Sequence, residues 1–459
     1  MVTQHLIDMD RAHWIHPVAA WGKQEKQGVT ILRSAKGAYL TDLDGHTLLD
    51  GFSGLWCVNL GYGHESIVRA ATEQMQRLSY ATGYFDYGSE PAIELAANLA
   101  QLAPGDLDHV FFTMGGSDAV DTTVRLISYY FNSIGKPEKK HCISLQRGYH
   151  GSSAIGSGLT ALAAFHRNFD VPLSTQHTIS SPYPYRNPLG AHGATIIAAS
   201  VQELRNKVAE IGAERVAAFF CEPVQGSGGV IVPPKGWLAA MRQACAELDI
   251  LFIADEVITG FGRTGPLFAC ESENVTPDFM TVAKGLTSGY SPMGAVFVSD
   301  RIHRAIADAN PTDMLVGHGF TYSGHPVSAA VGLAALRLYQ EGGMLANGQK
   351  VGAYFEQRLQ ELSSHPLVGD VRSRGMLAAI ELVTDKTRKT KPDKALKIGK
   401  LLGQAGYRNQ LIFRAFADDI IGFAPPLCCT HSDIDLLIER FQKSLDEMLS
   451  INEICRAVR

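Results

Sequence analysis

The chain is predicted to be an α/β protein built on a mainly parallel sheet in a large domain, with a smaller α/β unit beside it. Three observations carry that prediction. From about residue 108 onward, short apolar runs alternate with helix-spaced segments, the order that winds a parallel sheet. A length of 459 residues, with 46% hydrophobic residues and 45 glycines, allows a large core and more than one domain. Two of the apolar runs, Ile250–Ala254 and the one from Phe279 to Ala283, lead directly to a charged residue and a glycine-rich loop, as buried strands ending at a site do.

A net charge of −5 gives no electrostatic case for nucleic acid or an anionic membrane, and the basic cluster from Lys386 to Lys394 reads as a solvated loop. Eight cysteines without CxxC or paired metal-ligand spacing suggest reduced thiols and no metal. The first residues carry acids and histidines where a secretory signal needs a basic start and an apolar run, and no segment approaches ~18 consecutive apolar residues. A cytoplasmic protein acting on small molecules is the expectation.

Residues 1–60 read as an irregular arm followed by short antiparallel strands, Thr30–Arg33, Ala38–Thr41 and Thr47–Asp50, with a turn at Asp44-Gly45. Trp56 follows in GLWCVNLGYGH, either a core ring or a site ring. Helical spacing marks 65–78 and 90–102, the latter with Pro91 in its first turn. Between them YATGYFDYGSE collects Tyr80, Tyr84, Phe85 and Tyr87 in one loop, which packs an interface or lines a pocket. His109–Thr113 is a strand, MGGSDAVD its loop and 119–131 a helix. Backbone N–H groups at such a helix start, with Gly115, Gly116 and the Ser117 hydroxyl, bind phosphate well; a ligand-free tight turn is the alternative.

His141–Leu145 is a strand whose loop, RGYHGSS, carries Tyr149 and His150; a ring there stacks on a planar group or packs a wall. Residues 165–200 are Pro-rich and irregular. A helix 201–211, strand 216–221 ending at Glu222, helix 236–248 and the Asp255 and Lys284 strands complete the alternation. Helices 301–309 and 326–339 flank HGFTYSGHPV, with Thr321 in its loop. From about 345 a smaller unit follows: a helix to 362, a strand around 374–382, a helix near 395–405, the strand-like LIFRAF and IGFAPPL, and a last helix 432–449. Arg414 is the one charge within Leu411–Phe416, and a buried arginine needs a partner, in a core ion pair or a substrate carboxylate.

Lys284 and Asp255 are the chemical centre of the sequence. A lysine between buried segments either reaches solvent or has a lowered pKa, and a neutral amine is a nucleophile toward carbonyls. Asp255 by itself is a helix cap, a metal ligand or a site acid. Together, a lysine and an acid beyond adjacent strands fit the pattern for pyridoxal phosphate, in which the acid pairs with the ring nitrogen.

In sequence order, SGLWCVNLGYGH, GGSDA, GYHG, EPVQG, ADEVITGFGRTG, AKGLTSGYSPMGAV, HGFTYSGHPV, RAF and APPL resemble the class III (subgroup II) pyridoxal-phosphate-dependent aminotransferases, across essentially the whole chain. Within them the chain is most similar to omega-transaminases of the amine:pyruvate and beta-alanine:pyruvate type. The resemblance implies fold type I: a large cofactor-binding domain over 61–340 and a small domain assembled from 1–60 and 341–459. It implies a homodimer with a shared active site, and transfer of an amino group from an amine or omega-amino acid to pyruvate by a ping-pong mechanism. It further implies that Lys284 holds the cofactor and moves the proton, and that Asp255 keeps the ring nitrogen protonated. Gly116 and Ser117 bind the phosphate with Thr321 of the opposite subunit, Tyr149 stacks on the ring, and Glu222 and Val257 support it. Trp56, Tyr84 and Phe85 shape the substrate pocket, and Arg414 grips a carboxylate.

Two departures separate the chain from ornithine- and GABA-type relatives: Ser227 stands where those carry a glutamate that neutralises the active-site arginine, and Ile258 where they carry glutamine. Without that glutamate, Arg414 must find another partner or swing aside. The rivals are a decarboxylase or aminomutase on the same scaffold and, from another class, a nucleotide-binding oxidoreductase, which the absence of GxGxxG in a first βαβ unit disfavours.

Overall fold

The computed structural model describes residues 2–458 and contains three sheets. In the first, β1 (Leu32–Lys36), β2 (Tyr39–Asp42) and β3 (Thr47–Asp50) are antiparallel, and β13 (Leu411–Ile412) completes it by pairing parallel to β3, with Leu411 opposite Leu49. The central sheet has seven strands in the order β4 (His109–Thr113), β10 (Gly294–Val298), β9 (Phe279–Val282), β8 (Leu251–Asp255), β7 (Val216–Cys221), β5 (His141–Leu145) and β6 (Gln176–Ile179). The third runs β11 (Val368–Arg374), β12 (Leu377–Leu382), β15 (Ile420–Phe423) and β14 (Arg414–Ala415).

The central sheet is parallel from β9 through β8, β7 and β5 to β6, joined by helical crossovers. Every residue of β7, β8, β9 and β10 is buried, which is why these strands read as unbroken apolar runs instead of alternating ones. β10 is the exception in direction, antiparallel to both β9 and β4. Only residues 283–293 separate it from β9, and they hold a single three-residue helical turn, too little for a parallel crossover.

Elsewhere the structure departs from the sequence reading where apolar periodicity is weak. The N-terminal arm is not irregular but holds helices Val2–His13 and Trp21–Gln27, the second burying nothing. The stretch from 165 contains β6, and the next helix starts at Gly193 instead of 201, its first turns masked by a glycine and the β-branched Thr195, Ile196 and Ile197. The strand expected around 374–382 is a hairpin, β11 to β12, turned at Gly375 with φ +60°. LIFRAF supplies two strands to two different sheets.

Arg372 of β11 ties the third sheet to the turn after β7. Its guanidinium donates to the carbonyls of Gly229 (2.6 Å) and Val230 (2.9 Å) and pairs with Asp370 at 2.6 Å and Glu381 at 3.2 Å. No described helix is long and apolar enough to cross a membrane.

Candidate active site

Asp255 is the last residue of β8 and lies opposite Thr281 of β9, three residues before Lys284. The two charged residues therefore leave the sheet side by side at the carboxyl ends of neighbouring parallel strands. Both line one cavity of about 310 Å³, together with Met114, Gly116, Ser117 and Tyr149.

Lys284 has φ 41°, a left-handed backbone that a lysine adopts only when its surroundings impose it, and opens a short helical turn. Its ammonium lies 5.9 Å from the centre of the Trp56 ring. Burial pushes the amine pKa down, against the opposing pull of Asp255, so the neutral nucleophilic form is more available than on an exposed lysine.

Asp255 is buried with both oxygens engaged: Oδ2 accepts from Nδ1 of His150 at 2.8 Å, and Oδ1 accepts from the Val257 amide at 3.1 Å. Burial alone would lower the His150 pKa, but the hydrogen bond and charge of Asp255 override it and raise the imidazole pKa. Glu222 adds a second buried carboxyl, accepting from the amides of Tyr149 (2.9 Å) and Gly226 (2.8 Å); loss of hydration raises its pKa to about 7, with Asp255 adding to the shift.

At the far side, β4 runs into a helix that begins at Gly116, earlier than its apolar spacing suggests. A Cβ on Gly115 would meet nothing within 4 Å, whereas one on Gly116 would meet Val257 Cγ1 at 2.8 Å. The space beside the helix start is therefore open at Gly115 and closed behind Gly116 by Val257. Ser117 Oγ accepts from the amide of Ser152, and the Tyr149 hydroxyl and Ser152 Oγ are 3.0 Å apart, locking the Tyr149 loop to that helix. Ile258 lines the cavity, so its replacement of a polar residue is felt there.

Trp56 is fixed from below. Asp50 accepts from the amides of Phe52 (3.0 Å) and Gly54 (2.7 Å), and buried Arg263 donates to Ser53 Oγ (3.2 Å) and Asn59 Oδ1 (2.7 Å). Those bonds hold a turn in which Ser53, Gly54 and Trp56 all have positive φ. The ring packs at 5.7 Å, nearly parallel, on Phe416 and is 4% exposed. It is both core and neighbour of the lysine.

Other expected site residues lie apart from this cavity on their own chain. Tyr84 and Phe85 touch each other at 5.8 Å and are exposed, Phe85 at 82%. Thr321 is exposed, and its carbonyl accepts from the Tyr80 hydroxyl at 3.0 Å. Arg414 is not in a core ion pair: its side chain is exposed, and among the described residues it has no side-chain hydrogen bond or carboxylate partner. A two-residue edge strand followed by the 417–419 turn leaves one face of this segment to solvent. Sequence reasoning gave no role to His150, Cys57 or Met293, all of which line the cavity. Only His150 carried a signal, as the polar neighbour of Tyr149 at a strand end.

Residues 21–445 match the family model of the class-III aminotransferases. The chain is 42% identical over 441 residues to a putrescine–pyruvate aminotransferase of Pseudomonas aeruginosa, covering 96% of this chain and 95% of that protein. It is 38% identical to a diaminobutyrate–2-oxoglutarate transaminase of Halomonas elongata, covering 91% and 90%. Among solved structures, an (S)-enantioselective omega-transaminase from Thermomicrobium roseum superposes with a TM-score of 0.94 at 40% identity, covering 97% of this chain and 98% of that one.

Proposed function

The chain belongs to the class-III aminotransferases, which depend on pyridoxal 5'-phosphate, and we propose that it carries an amino group from an amine or omega-amino acid to pyruvate by a ping-pong mechanism. The observation that carries this reading is the shared cavity of Lys284 and Asp255. Pyruvate is favoured as acceptor by the relative named for putrescine and pyruvate. A cytoplasmic homodimer completes the reading, divided into 1–60, 61–340 and 341–459. The pairing of β3 with β13 supports a small unit drawn from both ends of the chain.

The residues fit the cofactor. A buried amine whose pKa is lowered faces one side of the cavity, a carboxylate with lone pairs to spare another, and an open helix start at Gly115 a third. When bound, the cofactor supplies an electron sink for charge released at the carbon bearing the amine. With the cofactor present, Asp255, held by His150 and the Val257 amide, would keep the ring nitrogen protonated. Gly116 and Ser117 present the positive end of their helix to a phosphate. Tyr149 would stack on the ring, with Val257 and Glu222 fixing the loops around it.

With the cofactor present, Lys284 would hold it through its amine and would take a proton from the substrate carbon and return it. Fixing that base in place removes a diffusional encounter. Trp56 excludes water above the amine. Arg414 receives the acceptor's carboxylate, while Thr321, Tyr84 and Phe85 complete the site of the opposite subunit; their exposure on their own chain supports that assignment.

A panel of amines and omega-amino acids, each with pyruvate, tests the reading. Alanine should form in proportion to the donor consumed. Release of carbon dioxide, or migration of the amine without use of a keto acid, would replace the transaminase assignment with a decarboxylase or aminomutase.

A further inference from the structure

A second concavity lies where the helix Ile398–Arg408 starts against the turn between β14 and β15. It has a volume of about 560 Å³, within the range of small-ligand sites, and four lysines at three-residue spacing line it: Lys391, Lys394, Lys397 and Lys400. Phe416, Ala415 and Ala417 give it an apolar wall.

The acids nearby are already committed. Asp418 pairs with Lys391 and with Arg147, each at 3.1 Å. Asp419 accepts from the Gly399 amide at 3.1 Å. Asp393 caps the Ala395 amide at 2.8 Å. Lys394, Lys397 and Lys400 are left without a carboxylate partner among the described residues, at the positive end of an eleven-residue helix. Lys397 also holds φ 51°, a conformation that asparagine or glycine adopts more easily, and this bend starts the helix beside the cleft. All four lysines are exposed around the concavity and outnumber its two carboxylates, so they give it a positive potential that attracts an anion.

We propose that this cleft is a binding site for a small multivalent anion bearing two or more phosphate or carboxylate groups, separate from the Lys284 cavity. The three unpaired lysines receive the charges.

The test is calorimetric titration of the cofactor-loaded enzyme, in phosphate-free buffer of low ionic strength, with pyrophosphate and, separately, citrate. Binding of one equivalent per chain is expected for at least one of them, weakened at least tenfold in the triple variant Lys394→Gln, Lys397→Gln, Lys400→Gln and unchanged in Arg388→Ala, an exposed charge outside the cleft. Pyrophosphate alone would assign a phosphate ligand, citrate alone a carboxylate, and both a site that reads charge. Should the triple variant not fold, Lys400→Glu alone must weaken binding. No binding at millimolar anion, equal binding by wild type and lysine variants, or an equal loss in Arg388→Ala overturns the site. None of these readouts requires turnover, so the proposal stands or falls independently of the transaminase reading.

Discussion

At the scale of single residues, Lys284 and Arg414 separate chemistry from binding. Lys284→Ala should abolish transamination while circular dichroism and Tm stay near wild type, because a lowered pKa and a left-handed backbone suit the position to reactivity more than to packing. Near-native turnover of that variant would remove its assigned role. Arg414→Ala should slow the keto acid half-reaction about ten- to a hundredfold, the roughly 1.5–3 kcal/mol of a hydrogen bond to a charged group. The half-reaction with a carboxylate-free amine should change little, and stopped-flow measurement of each half separates the two. Equal losses in both would make the arginine structural. The sequence showed both residues because a charge inside an apolar run is conspicuous. It showed nothing of the exposure of Arg414, which depends on how β14 ends and on an edge that no local pattern encodes.

At the scale of elements, the site depends on how closely loops meet. Gly116→Ala would drive a methyl against Val257, whose amide is tied to Asp255, and should cost about 1–3 kcal/mol while weakening cofactor binding. Gly115→Ala has room for its methyl, so it should leave Tm unchanged and reduce cofactor affinity only, by intruding on open space. Absorbance titration with cofactor and thermal melts distinguish the pair. The strands that carry Asp255 and Lys284 were legible because full burial makes them continuous apolar runs. β6 and the two N-terminal helices were not, since none of the three shows a full apolar face, and the place of His150 behind Asp255 depends on a contact 105 residues away in sequence.

At the scale of the molecule, buried charge sets both cohesion and its pH dependence. Arg372→Ala should destabilise the fold by about 3–5 kcal/mol in chemical denaturation, because buried Glu381 loses a partner and the carbonyls of Gly229 and Val230 lose their donor. Glu222, with a pKa of about 7 against 4.5 for an ordinary glutamate, acts in the opposite sense to a salt-bridged acid. Between those values the folded state holds a proton that the unfolded chain has released, so stability falls as pH rises through the window. Relative to Glu222→Gln, the Tm of the wild-type cofactor-free protein should drop by a few degrees between pH 5 and pH 7.5; parallel curves would mean that the carboxyl is ionised throughout. The mainly parallel architecture was readable from the alternation of runs, whereas the antiparallel entry of β10 follows from a connection too short to cross over.

The pairing of β3 with β13 also orders events during synthesis. The amide of Leu49 waits for the carbonyl of Gln410, so the opening sheet stays one strand short until nine-tenths of the polypeptide has left the ribosome. The exposed edge of β3 must remain shielded, by the nascent chain's own helices or by a chaperone, until the last segment arrives to close it.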